Sequence, residues 1–184
     1  MGKLSTSAWV LHDLGLAAGF GGPLFGKIAL GEAVKDIHSE EERGLVLHDA
    51  WKRYNRVTAI SLGAAAATWF IGRTLLSGRS VSREARQLVL AKDIVLGATI
   101  AAGVASMISG EIKSREAHGG AVPVRSGTEP SERTPPIARA AQRVLSVVGP
   151  MEIALAGAAI GITSVLAMKS GRSGKWSFLS RLLP

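Results

Sequence analysis

The chain of 184 residues contains no cysteine. That absence excludes disulfides, thiolate metal sites and cysteine nucleophiles, and it leaves the redox compartment open. Aromatic residues are scarce, at 5%, with a single tyrosine. A water-soluble core of this length draws on larger side chains. The 22 glycines instead suit helices packed in lipid, where small residues let backbones approach. Acidic residues are also short, 14 against 22 Lys and Arg, for a net charge of +8. The basic excess is spread over connections and tail without interleaved aromatics, so nucleic acid is not an expected partner. It fits Lys and Arg that flank membrane spans and face anionic headgroups. Enzyme signatures are missing as well: there is no Gly-x-Ser-x-Gly, no His-Glu-x-x-His and no phosphate loop. Gly19-Phe20-Gly21-Gly22 has no strand before it and reads as helix packing.

What the chain does have is long apolar runs. Four of them, at about 8–30, 57–76, 88–109 and 144–168, each reach the roughly 20 residues that a helix needs to cross a bilayer. The expected fold is an all-α membrane protein: one domain, a bundle of four transmembrane helices with Gly/Ala-rich packing faces. The first run is longer than a signal core of about 7–15 residues and is interrupted by Asp13, so it reads as a retained helix. Pro23 within it predicts a kink.

The connections carry their own signals. Ser39-Glu40-Glu41-Glu42 reads as a capping box. Leu47, Trp51 and Tyr54 follow at helical spacing and predict an interfacial amphipathic helix before the second span, at the membrane surface or docked on the bundle. No breaker separates it from that span. Trp69, Phe70 and Arg73 fit an interfacial belt at the span's exit. Residues 118–136, rich in Gly, Pro, Ser and Thr, read as a flexible loop. Thr134-Pro135 reads as a helix N-cap followed by proline at the first helical position. Gly149-Pro150 sets the fourth span's start at Pro150, or near Val144 if the helix is only kinked. The tail 169–184 is basic, with an amphipathic segment through Trp176 and Phe178. The second connection and the tail are the densest in Lys and Arg, which puts both termini on the cytoplasmic side of a plasma (inner) membrane.

Helical periodicity sorts the faces. Gly15, Gly19, Gly22 and Gly26 recur at intervals of 4, 3 and 4 and make one groove, which His12 extends. Gly103 lies on a third-span stripe with Lys92, Leu96, Thr99 and Ser106. Gly157 and Gly161 lie on a fourth-span stripe with Ala154 and Ser164. These glycines are the expected packing positions.

Ionisable groups inside spans are functional by default, and they mark proton or ion pathways. Five qualify: His12, Asp13, Lys92, Asp93 and Glu152. The first four form two matching pairs, His12-Asp13 and Lys92-Asp93, which two similar hairpins would set at one depth. Near helix starts the acids also suit capping of free N–H groups against the positive dipole end. Glu152 enters from the opposite face. One histidine within a span does not make a haem site, and neighbours in sequence point apart, so neither a metal nor a cofactor is expected. The leading expectation is a non-catalytic membrane protein with a packing, accessory or assembly role, partnered by the bilayer and by copies of itself or other membrane proteins. The alternative is a small proton- or ion-coupled channel or transporter that uses the intramembrane acids.

Overall fold

A computed structural model describes residues 3–76 and 83–171, with side chains over 7–72 and 86–168. The basic tail beyond 171 and most of the second connection, on which the expectations for Trp176, Phe178 and the cytoplasmic termini rest, lie outside the described residues, as does the side chain of Arg73. Four long helices make up the chain: α1 (Lys3–Phe25), α2 (Glu40–Leu76), α3 (Arg83–Ser114) and α4 (Pro136–Gly171). No strand occurs among the described residues. Three stretches are long and apolar enough to cross a membrane: Ser7–Asp36, Arg86–Ser114 and Pro136–Met168. The run expected at 57–76 is not among them, because its side chains are described only to residue 72.

The helices run up, down, up, down. α1 packs along α2 through its glycines: Gly15 faces Ser61 and Ala65, Gly19 faces Leu62, Gly22 faces Tyr54 and Gly26 faces Trp51. α3 pairs with α4, and α1 also packs on α4, whereas α2 and α3 meet at few points. A first core joins all four through Leu16, Ala65, Trp69, Leu96 and Ala159. The outer faces stay apolar, with Leu14, Ile60, Phe70, Ile94 and Val147 exposed.

Local sequence explains the helix ends. The Ser39 hydroxyl accepts from the Glu42 N–H at 3.2 Å, satisfying one of the free donors at the start of α2. With no breaker after it, α2 runs unbroken for 37 residues. Of its Leu47-Trp51-Tyr54 face, Tyr54 docks on α1 at Gly22 and donates from its hydroxyl to the Ala18 carbonyl, Trp51 packs on Gly26 just beyond α1, and Leu47 turns to a second core with Val122 and Val124. α1 carries Pro23 without a break and is followed by a π-turn at Gly26–Leu30. α4 continues straight through Gly149-Pro150, so the fourth apolar run belongs to a helix that starts at Pro136.

Three sequence-based expectations change. Pro136, not Pro135, opens α4. Thr134 braces the preceding segment instead: its hydroxyl accepts from the Ser131 N–H at 2.8 Å and donates to the Pro123 carbonyl at 2.6 Å. Trp69 sits in the core at 7% exposure, so of the two belt residues whose side chains are described, Phe70 alone faces outward. The α4 stripe of Ala154, Gly161 and Ser164 is exposed, and α4 turns Glu152, Ala156, Ala159 and Thr163 inward.

Residues 118–136, read from composition as a flexible loop, form a strap packed across the lower end of the bundle, where α2 and α4 begin. Val122 and Val124 are fully buried in a second core with Val34, Leu47 and Ala138. Gly119 and Gly120 take positive φ (64° and 80°) to turn the chain into it, a backbone region that L side chains rarely adopt. Val124 N–H donates to the Glu40 carbonyl at 3.1 Å. Arg43 ties the layer with hydrogen bonds to the carbonyls of Ile37, Lys35 and Arg125.

Candidate functional site

The residues that sequence reasoning singled out fall into two places. At the upper end, the α1 glycine groove lets α2 approach until a Cβ on Gly15 would collide with the Ser61 carbonyl. One turn above, His12 Nδ1 lies 2.7 Å from the Ala65 carbonyl oxygen. A carbonyl only accepts, so Nδ1 carries the proton and Nε2 is left as an acceptor. Lys92 donates to it from α3, with Nζ 2.7 Å from His12 Nε2. The two pairs, His12-Asp13 and Lys92-Asp93, therefore stand at one level.

Aromatic rings close the pocket around the lysine. Nζ lies 3.9 Å from the Trp69 ring centroid and 5.5 Å from that of Trp9. His12 stacks on Trp69 with centroids 5.8 Å apart, and the Trp69 indole N–H donates to Asp93 Oδ1 at 2.8 Å. Lys92 is fully buried and His12 is 1% exposed. No carboxylate among the described residues lies within ion-pair distance of Lys92. Cation–π contacts, worth about 2 kcal/mol each when desolvated, and the charge-assisted hydrogen bond to His12, worth about 1.5–3 kcal/mol, stand in for a counter-ion. This cluster joins α1, α2 and α3. Asp13 does not enter it: its side chain is exposed on the outer face of α1.

The second place lies lower. Glu152, 4% exposed, reaches from α4 to α3, where the Ser106 hydroxyl donates to its Oε2 at 3.0 Å. Gly103 makes room for it: a Cβ there would stand 3.3 Å from Glu152 Oε1 and 3.4 Å from Leu62 Cδ1. Gly103 follows Lys92 by eleven residues, so Glu152 sits about 16 Å below the lysine at 1.5 Å per residue. The five ionisable residues thus do not converge. His12, Lys92 and Asp93 come together, Glu152 stands apart, and Asp13 points away.

Glu152 looks into a cavity of about 990 Å³ between α2 and α3, floored by the strap. The sparse contact between those two helices leaves it open. Ser106, Thr58 and Asn55 line it with Glu152, and Leu47, Trp51, Met107 and Leu145 supply apolar wall. Neither His12 nor Lys92 borders it. No group of three His, Asp or Glu side chains that would hold a metal occurs among the described residues.

Sequence reasoning missed the two tryptophans around Lys92 and the Thr58–Ser106 lining of the cavity. Trp69 was findable: it falls four residues after Ala65, on the inward face that starts with Leu62. Ser106 was already on the Lys92 stripe, but nothing in one dimension pairs it with Glu152. Of the expected packing glycines, Gly15, Gly19, Gly22, Gly26 and Gly103 contact another helix closely, and Gly157 meets Phe20 at 3.4 Å. Gly161 has nothing within 4 Å. No protein-family model matches the chain, and neither a curated protein nor a solved structure matches it significantly.

Proposed function

We propose that the chain is a four-span integral membrane protein whose cavity is the working part of a small proton- or cation-coupled transport pathway, with Glu152 as its charged group. In this reading the upper half of α2 is the fourth span, both termini face the cytoplasm, and the strap lies on the opposite side. The observation that carries it is a buried carboxylate without a cationic partner among the described residues, set against an open space of about 990 Å³ inside helices of membrane length. Intramembrane acids that face a cavity are what proton and ion pathways are built from. The His12–Lys92 cluster is sealed from that space and acts as the pin that holds three helices in register. The pathway reading therefore rests on one acid, not three.

The test is flux in liposomes under an imposed proton or monovalent-cation gradient. Flux by the wild type, its loss in Glu152→Gln and its retention in Asp13→Asn are the expected outcome. A well-folded wild type without flux, or flux that survives Glu152→Gln, overturns the reading.

A second reading, assembly with membrane partners, has a narrower footing than the sequence offered, because the α1 glycine groove is filled by α2. What favours it is the set of outward glycines, Gly63, Gly97 and Gly161, each exposed with no atom within 4 Å of a Cβ position. Gly97→Leu disrupts a complex under this reading and leaves the pathway untouched.

A further inference from the structure

Glu152 has one oxygen occupied and one free. Ser106 donates to Oε2, and no group among the described residues donates to Oε1. No Lys, Arg or His among the described residues forms an ion pair with it. Burying a charged carboxylate is costly, so such a group either takes up a proton or is paired with a positive charge. The space in front of it is where a positive partner has room to sit.

The surroundings narrow the partner's chemistry. A bound metal ion takes six or more oxygen ligands for calcium and near-octahedral geometry for magnesium, and one carboxylate beside hydroxyls falls well short. The wall of Leu47, Trp51, Met107 and Leu145 is apolar. The volume, about 990 Å³, matches sites of roughly 300–1,000 Å³ that take whole organic molecules. A second polar group stands nearby in register. Leu62 faces Gly103, so Thr58, one turn before Leu62, comes level with Ser106, one turn beyond Gly103. Thr58 borders the cavity and is 5% exposed; its hydroxyl oxygen is buried behind the wall without a hydrogen-bond partner, which leaves Glu152 Oε1 as the acceptor at the site.

We propose that the cavity binds an organic monocation, a protonated amine on an apolar body, with its ammonium group at Glu152 Oε1. An ammonium brings the missing charge and up to three donors to a place that has a free acceptor. Glu152 can neutralise one positive charge and no more. Lys27, Lys52, Lys113 and Arg115 border the cavity against only Glu32 and Glu111, so a second positive charge on the ligand finds no spare acid.

This inference rests on the cavity being the working site, and its test measures binding, not flux. The probe is monodansylcadaverine, a fluorescent primary amine, titrated onto the wild-type protein in lipid nanodiscs beside its N-acetylated, uncharged form. The expected result is saturable binding of the amine at least tenfold tighter than of the acetylated form, reduced in Glu152→Gln to the level of that form. Equal affinity of the two forms for the wild type, no saturable binding of the amine, or full affinity in Glu152→Gln overturns it. The comparison of the two ligands on the wild type needs no variant that folds. Amine binding without flux removes the transport reading and leaves this site. Flux without amine binding does the reverse.

Discussion

Lys92 Nζ rests 2.7 Å from His12 Nε2, and the same histidine holds the Ala65 carbonyl through its other nitrogen at 2.7 Å. One imidazole thus couples α3 to α2 through α1. The arrangement works because Gly15, a turn further on, lets the two backbones close to the reach of a histidine.

Removing the two partners has unequal effects. His12→Ala leaves a buried ammonium with aromatic faces and no hydrogen-bond acceptor among its described contacts, and it destabilises the bundle by about 3–5 kcal/mol, the usual result of stranding a buried charge. Lys92→Met replaces the charge with an apolar chain of similar length, and its cost is about 1–3 kcal/mol, that of leaving Nε2 unpaired. Thermal unfolding in detergent, followed by circular dichroism, checks the order. Equal losses would mean that the lysine carries no charge to strand.

Two adjacent glycines separate packing from propensity. A Cβ at Gly22 would overlap the Tyr54 ring, whereas one at Gly21 meets nothing within 4 Å. Gly22→Ala therefore disrupts the α1–α2 seam and lowers stability by more than about 2 kcal/mol, as overpacking does. Gly21→Ala raises helix propensity by roughly 0.5–1 kcal/mol and is neutral or stabilising. Melting temperatures of the two variants decide it.

Gly103 is the residue through which cavity function and packing can be told apart. A Cβ there presses on Glu152 Oε1 from 3.3 Å. Gly103→Val pushes the carboxylate off Ser106 and lowers liposome flux at least tenfold, with a stability loss of only about 1–3 kcal/mol. Flux at wild-type level in this variant counts against Glu152 as the working group.

The strap responds to acid. Arg133 holds Glu41 Oε1 at 2.7 Å and Glu40 Oε2 at 3.0 Å. The Glu41 backbone N–H, the Ser39 hydroxyl and Arg133 hold the Glu41 carboxyl below its ordinary value. A lowered carboxylate contributes its stabilisation above the unfolded value, about 4.3, and loses it as pH falls through the folded one. Strap docking is therefore constant from neutral pH down to about 4.3 and weakens below it. Hydrogen exchange at the amides of Val122 and Val124, corrected for intrinsic rate, is expected to speed up in that acid range. Arg133→Ala brings the faster exchange to neutral pH.

Much of the helical plan was legible in the chain because lipid-length helices leave long, simple patterns. The capping serine at 39, the docking face through Leu47, Trp51 and Tyr54, and the stripe that turns Lys92 inward all follow from a period of 3.6. The strap was hidden for a compositional reason. Its glycines, prolines and serines outweigh two valines, and Val122 and Val124 reveal a buried edge only through their alternate spacing. The pairing of Glu152 with Ser106 was not legible at all. It depends on how far α4 slides along α3, a register that no single helix encodes. Asp13 shows the converse: its place one step round from His12 already aimed it away from the groove, and acidity alone drew attention to it.

At 37 residues without a break, α2 is a rod of about 55 Å. One end lies under the strap and the other carries Trp69 against Lys92. A tilt of about 5° at the strap end displaces the far end by about 5 Å if the rod stays straight. The strap and the wall of the lysine pocket are two stations on one continuous element, so a rigid tilt of that helix reaches both.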